Sequence, residues 1–239
     1  MSSGKIRLSL VVPTYNEHEN VAGMVEQLCG ALGPILQENY EIIIVDDDSP
    51  DRTWELAETI AATNPHLKVI RRTSERGLAT AVVAGWRAAE GEYLGVIDGD
   101  LQHPPEVLGK LVEAMNEGAE IAIASRHVEG GGISKWSMAR RMVSRTAQMI
   151  GMMLLPGAAS RVSDPMSGYF LLRSSLIENV TLHPIGYKIL LEVLARAKPT
   201  RIREVGYVFR EREKGGSKAT FGIFLQYLQH LWRLRFGGK

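Results

Sequence analysis

The sequence predicts an α/β protein: one domain spanning residues 1–239, with a mostly parallel sheet flanked by helices. Three observations predict it. Apolar runs of strand length alternate with stretches of helical periodicity through the first half of the chain. Polar clusters fall at the carboxyl ends of those runs, where parallel sheets hold their ligands. A length of 239 residues, 45% hydrophobic and 23% charged, suits one such domain with a sizeable core.

The predicted elements run as follows. Arg7–Val12 is an apolar strand. Glu17–Leu32 is a helix, with Val21, Met24, Val25, Leu28 and Leu32 at helical spacing and Asn16 as its N-cap. Glu41–Val45 is a buried strand ending in Asp46-Asp47-Asp48, and Asp51–Ala62 is a helix with Asp48 or Ser49 available to cap it. Leu67–Ile70, Tyr93–Ile97 and Ile121–Ala124 read as strands, and Leu78–Ala89 and Pro104–Glu117 as helices, the last with prolines in its first turn. The second half is less regular. Gly130-Gly131-Gly132 reads as a flexible joint, Ser134–Leu155 as a Met-rich helix and Pro156–Ser167 as a loop. Gly168–Leu172 is a strand, Ile185–Ala197 a helix, Ile202–Phe209 a strand, Glu211–Lys218 a charged loop and Phe221–Phe236 an amphipathic helix.

Bulk properties narrow the class. Cys29 is the only cysteine, so no intrachain disulfide forms and a reducing compartment fits. Neither a signal peptide nor an apolar run long enough to span a membrane is predicted. The net charge of +1 hides a gradient: −11 over residues 1–125, +4 over 126–195 and +8 over 196–239. An acidic first half suits a metal, and a basic second half suits phosphates or an anionic membrane surface.

Asp98-Gly99-Asp100 follows an apolar strand. Two carboxylates one residue apart on a turn can face one cation, and Gln102 adds a neutral oxygen. Mg²⁺ is commonly held by one or two carboxylates together with substrate phosphates. An ordinary acidic turn would carry the same residues, but the position after a buried strand, with Gln102 beside it, favours a metal. Pro13-Thr14-Tyr15-Asn16-Glu17 and Asp46-Asp47 close two further strands, where carboxylates can accept from a base N–H or ribose hydroxyls. No glycine-rich phosphate loop follows the first strand, which argues against a dinucleotide or P-loop site.

Taken in order, Pro-Thr-Tyr-Asn-Glu, Val-Asp-Asp-Asp-Ser-Pro-Asp, Asp-Gly-Asp-Leu-Gln-His-Pro-Pro-Glu, Ser-Arg and Gly-Gly-Ser-Lys resemble the family 2 glycosyltransferases. Among these, the chain looks most like the dolichol-phosphate (polyprenyl-phosphate) mannose synthases, from about Leu8 to Arg235. The resemblance implies a Rossmann-like GT-A fold, a Mg²⁺ or Mn²⁺ ion, GDP-mannose as donor and a dolichyl or other polyprenyl phosphate as acceptor, in protein glycosylation. It implies no nucleic-acid partner. It assigns Pro13, Tyr15, Glu17, Val45 and Asp47 to the nucleoside. Asp98, Gly99 and Asp100 would lie at the donor, and Asp98, Asp100 and Gln102 would be the metal ligands. Arg126, Arg140 and Ser144 would receive the acceptor phosphate, and Arg212 and Lys218 would close over the donor. The reacting centre would then be Asp98, Asp100, Arg126 and Arg140. Gly99 stands where relatives often have Ala. Many members carry C-terminal transmembrane helices that this sequence lacks, so the expected location is the cytoplasmic face of a membrane, held peripherally or through a partner subunit.

The residues support these roles physically. Arg140 and Ser144 are four apart and share a helix face, and an arginine fork binds phosphate bidentately. Arg212 and Lys218 sit in a glycine-containing loop, as a lid should. Gly77, Ala81 and Gly85, also four apart, read mainly as a close-packing face. The stripe Met138, Met142, Met149, Met152 and Met153 fits either a prenyl groove or core. The helix within 219–236 fits either a membrane surface or docking on the domain's own sheet. A phosphate acceptor is already anionic and needs positioning rather than a base, which fits an inverting transfer. Three rivals remain: a polyprenyl-phosphate glucosyltransferase using UDP-glucose, a haloacid-dehalogenase-type phosphohydrolase, and a non-catalytic nucleotide-sugar-binding subunit.

Overall fold

The first two strands are buried on both faces because every residue in them is apolar or carries a polar group with a partner. They are β1 (Leu8–Thr14) and β2 (Tyr40–Asp46). In β1, Leu8, Leu10 and Val12 point to one side and Val11 to the other. The computed structural model describes residues 5–134, 138–210 and 221–237, without side chains at 138–144, 221 and 223.

With β3 (Leu67–Arg71), β4 (Tyr93–Val96), β5 (Ile121–Ser125), β7 (Phe170–Arg173) and β8 (Ile202–Gly206), these form a seven-stranded sheet in the order β3-β2-β1-β4-β7-β5-β8. All neighbours are parallel except at β7, which runs antiparallel to both β4 and β5, with Val96 and Ile123 each opposite Phe170. The carboxyl ends of β1, β2, β4, β5 and β8 therefore share one edge with the amino end of β7.

Helices cover both faces. On one, α1 (His18–Leu36) and α4 (Leu108–Asn116) set Met24, Leu28, Leu111 and Met115 against Leu10, Val12, Ile42 and Ile44. On the other, α3 (Leu78–Ala88), α8 (Ile189–Arg196) and α9 (Phe221–Phe236) pack Val82, Trp86, Leu190, Leu191, Tyr227 and Leu231 against Val11, Ile43, Val45 and Phe170. Each such buried side chain contributes on the order of 1.5–3 kcal/mol. A β-carbon on Gly85 would lie 2.6 Å from Val11 Cγ1, so Gly85 and the buried Ala81 are packing positions, as their spacing predicts, whereas Gly77 stands outside the helix at its N-cap with φ +145.

Several local expectations are corrected. Asn16 is not an N-cap: it adopts φ +53 and donates its N–H to Ser49 Oγ at 3.0 Å, and Glu17 takes the cap position. The helix α2 (Thr53–Ala61) is capped neither by Asp48 nor by Ser49, because Arg52 precedes it and Asp51 accepts from Thr53 N at 3.0 Å and from His18 N at 3.1 Å. The α1 helix runs past Pro34 to Leu36. The predicted strand 202–209 breaks at Tyr207 into β8 and β9 (Val208–Phe209). The glycine run is no joint, since Gly132 and Ile133 form β6 (Gly132–Ile133) in parallel with β9. A β-carbon on Gly131 would meet Ser125 O at 2.8 Å, so the run is glycine for close backbone approach. The predicted loop 156–167 opens with a short helix, α6 (Pro156–Ala159).

Candidate active site

The acidic turn leaves β4 at the shared edge. Gly99 lets it lie close against β1: a β-carbon there would be 3.1 Å from Thr14 Cγ2 and 3.3 Å from the Pro13 carbonyl. Leu101 adopts φ +60, which reverses the chain so that Gln102 faces back toward the turn. Gln102 N donates to Asp100 Oδ1 at 3.1 Å. The buried Gln102 amide gives its Nε2 to the Arg210 carbonyl at 3.0 Å, and Arg210 N returns a bond to Gln102 O at 2.9 Å.

Asp98 is held from two sides. His103 Nε2 lies 3.3 Å from Asp98 Oδ2, and the imidazole is boxed by Tyr169, Tyr207 and Phe209 with centroids 5.1–5.5 Å away. Gly168 packs on the opposite side of the carboxylate. Burial alone would raise the Asp98 pKa, but the His103 contact and the charges of His103, Lys188 and Arg126 outweigh it and hold the carboxyl below its usual range.

Among the described residues no three His, Cys, Asp or Glu form a metal cluster. A protein cage is not what a diphosphate-bound cation needs. The oxygens present do suit a hard cation: among the described residues Asp98 Oδ1 is buried without a hydrogen-bond partner, Asp100 lies two residues on, and Gln102, anchored through Nε2, carries an amide oxygen.

The nucleoside side is built from β1 and β2. Val45 lies opposite Pro13 in the ladder, and its side chain is fully buried against α3, so main chain is what it can offer a ligand. Tyr15 lies beneath the Arg76 guanidinium, 5.4 Å from ring centroid to Cζ. Glu17 is buried and accepts from Asn20 Nδ2 at 2.6 Å. Both Asp47 oxygens are engaged, Oδ1 by Arg72 Nε at 2.7 Å and Oδ2 by Gly77 N at 2.6 Å. A carboxylate has about four lone-pair positions, so a ligand donor can still share it. Asp46 is structural, accepting from Thr14 Oγ1, Ser49 N and Ser49 Oγ.

Arg126 leaves β5 two strands from Asp98. Its guanidinium forks onto Asp164, with Nε and Nη2 each 2.7 Å from a carboxylate oxygen. Burial opposes ionisation of both partners, yet their pairing holds the Asp164 carboxyl low and the Arg126 guanidinium high. Lys188, just before α8, donates from Nζ to the Met166 carbonyl at 3.1 Å. Arg140 and Ser144 lie on α5 (Met138–Leu154), but their side chains fall outside the described ones, as do Arg212 and Lys218 entirely.

The structure thus gathers Pro13, Asp47, Asp98, Gly99, Asp100, Gln102 and Arg126 at one sheet edge. It adds His103, Asp164, Gly168 and Lys188, which the sequence reading did not single out. His103 was visible within Asp-Gly-Asp-Leu-Gln-His but had no assigned role, and the others gave no local signal.

Residues 9–181 match the family model described as Glycosyl transferase family 2. The chain is similar to a dolichol-phosphate mannosyltransferase of Pyrococcus furiosus, 45% identical over 96% of this chain and 64% of that one. It is also similar to a dolichol-phosphate mannosyltransferase of Saccharomyces cerevisiae, 38% identical over 98% of this chain and 90% of that one. The chain therefore spans just under two thirds of the Pyrococcus relative's length. In fold it resembles glucosyl-3-phosphoglycerate synthase from Mycobacterium tuberculosis, solved with Mg²⁺ and uridine diphosphate. The TM-score is 0.73 at 20% identity, covering 98% of this chain and 80% of that one. A GT-A sheet, an acidic turn at its carboxyl edge and these sequence matches together place the chain in glycosyl transferase family 2, as a glycosyltransferase.

Proposed function

We propose that the chain transfers mannose from GDP-mannose to dolichyl or another polyprenyl phosphate, with inversion and a divalent metal, giving polyprenyl-phosphate mannose and GDP. The observation that carries this reading is that Asp98 and Arg126 leave the same sheet edge from strands separated only by β7. A donor site and an anion site thus adjoin. The curated relatives, named for mannose transfer to dolichol phosphate, support the choice of substrates.

Mg²⁺ or Mn²⁺ held by Asp98, Asp100 and Gln102 would supply neutralisation of the leaving diphosphate. The protein's own part is positioning. The acceptor phosphate, with a second pKa near ~6, is largely dianionic at neutral pH. One of its oxygens attacks the anomeric carbon as the bond to the GDP oxygen breaks on the opposite face, so no general base is needed. Arg126, fixed by Asp164, orients the attacking phosphate, joined by Arg140 and Ser144 from α5. Pro13, Tyr15, Glu17, Val45 and Asp47 hold the nucleoside, and Arg212 and Lys218 close over the diphosphate.

No helix among the described residues is long and apolar enough to cross a membrane. We place the chain peripherally on a cytoplasmic membrane face. Supporting this, α5 and α9 pack together through a Tyr227 Oη–Ala147 O bond of 2.6 Å and leave Met149, Met153, Leu225, Trp232 and Phe236 exposed beside Arg233 and Arg235.

The test is a matrix of GDP-mannose and UDP-glucose against dolichyl phosphate, undecaprenyl phosphate and a free sugar acceptor, with the product extracted into organic solvent, with and without chelator. Radiolabel from GDP-mannose moving into the organic phase only with a polyprenyl phosphate and metal supports the reading. Preference for UDP-glucose, or GDP binding without turnover, overturns it.

A further inference from the structure

Lys188 stands where local structure gives no reason for a lysine. It holds the N-cap position of α8 without a side-chain cap, and it brings positive charge to the positive end of a helix, where small polar or acidic residues are favoured. Its side chain instead reaches the seam of the active site. The Met166 carbonyl, 3.1 Å away, is its one hydrogen-bond partner among the described residues, whereas an ammonium carries three donors.

Met166 sits midway in the segment 164–168. At one end Asp164 grips Arg126, and at the other Gly168 packs on Asp98. Lys188 is thereby anchored between the donor half and the acceptor half. Arg126, Asp98 and Asp164 all act on it electrostatically, yet neither carboxylate is hydrogen-bonded to it: the Arg126 fork holds Asp164, and His103 holds Asp98 Oδ2. A half-buried ammonium with one hydrogen-bond partner among the described residues, set on the segment that links the Arg126–Asp164 pair to Asp98, is an arrangement that an arriving anion stabilises.

We propose that Lys188 is a phosphoryl-binding residue of this active site, its ammonium meeting a phosphate oxygen at the junction of donor and acceptor. The proposal rests on the glycosyl-transfer reading for the identity of that phosphate. The nucleotide's diphosphate and the acceptor's monophosphate offer the same chemistry, and binding measurements separate them.

Lys188→Met, Lys188→Gln and Lys188→Arg are titrated calorimetrically, beside wild type, with GDP and divalent metal and separately with farnesyl phosphate in detergent. Circular dichroism and melting temperature report folding. The Met and Gln variants are expected to lose about tenfold or more in affinity for one of the two ligands, while Arg stays within about threefold. Loss for GDP assigns the leaving diphosphate, and loss for farnesyl phosphate assigns the acceptor. Gln keeps a donor for the Met166 carbonyl without the charge, so it separates anion binding from a strut; if Met fails to fold, Gln decides. A folded Gln variant that binds both ligands within twofold of wild type overturns the proposal. These titrations need no turnover, so failure of wild type to make polyprenyl-phosphate mannose would sink the proposed function and leave the Lys188 result standing.

Discussion

Gly168 yields the place of a side chain to Asp98: a β-carbon on the glycine would lie 2.8 Å from Asp98 Oδ2 and 3.1 Å from Oδ1. Backbone and carboxylate cannot both keep their positions if a methyl group enters. Gly168→Ala is expected to displace the carboxylate and lower kcat by on the order of a hundredfold, the scale of a misplaced reacting group. The melting temperature should change little. Steady-state mannosyl transfer beside a thermal melt checks this, and an unchanged kcat would show that Asp98 does not need its present position.

Asp100→Ala removes one of two carboxylates available to a cation. Transfer should fall by about 10³-fold or more. Chelator should abolish wild-type transfer and added Mg²⁺ or Mn²⁺ should restore it, while the variant stays inactive at any metal concentration. Wild-type rates in Asp100→Ala would remove the metal role.

Arg72 supports Asp47 from within. It pairs with Asp47 and also donates to Thr80 Oγ1 at 3.1 Å and to the Gly77 carbonyl at 3.0 Å, with both charged side chains buried. Arg72→Ala strands a buried carboxylate, and should cost about 3 kcal/mol in urea denaturation and weaken GDP binding. A loss below about 0.5 kcal/mol would mean that water replaces the guanidinium.

Stability should depend on acid through Glu41. Burial would raise its pKa, but Lys68 at 2.7 Å, Ser9 Oγ at 2.5 Å and Glu90 N at 2.8 Å together hold it below 4.5. A depressed carboxyl gives its full stabilisation above the unfolded-state value and loses it as pH falls through the folded-state value. Glu41→Gln is therefore expected to cost about 1–3 kcal/mol at pH 7, with the gap to wild type closing in progressively more acidic buffer. A gap that persists unchanged at pH 3 would refute ionic stabilisation.

Trp232 and Phe236 lie against each other on the outer face of α9, ring centroids 4.3 Å apart and tilted by 44°, 64% and 56% exposed. Replacing either by Ser should weaken partitioning onto anionic vesicles by roughly tenfold without changing the melting temperature. Co-sedimentation measures it, and equal partitioning would move the membrane contact elsewhere.

The donor half of the site was readable because its residues sit at strand ends within unbroken β–α repeats, where periodicity fixes both strand and exit. Asp98, Asp100 and Asp47 are each found that way, and so is Arg126 on the proposed acceptor side. The rest depends on long-range pairing. Asp164 lies 38 positions from Arg126, in a stretch with no periodicity. Lys188 looks like any lysine before a helix until Met166 is placed beside it. The apolar run ending at Leu172 announces a strand but not its direction, because alternation along a strand is blind to the sense of its neighbours. Asn16 is no cap because its backbone turns left-handed, at φ +53, and the helix begins one residue later than the periodicity suggests.

The antiparallel strand β7 has a consequence for how the chain comes into being. The strands β4 and β5 do not touch; each pairs with β7 instead. During synthesis, the first 125 residues emerge with β4 and β5 each lacking a neighbour on that side, and an unpaired edge is a template for joining another chain. Only when Arg173 has left the ribosome can one strand seal both. The segment 164–168 leads directly into that strand, so pairing Asp164 with Arg126 and sealing the gap between β4 and β5 belong to the same stretch of synthesis.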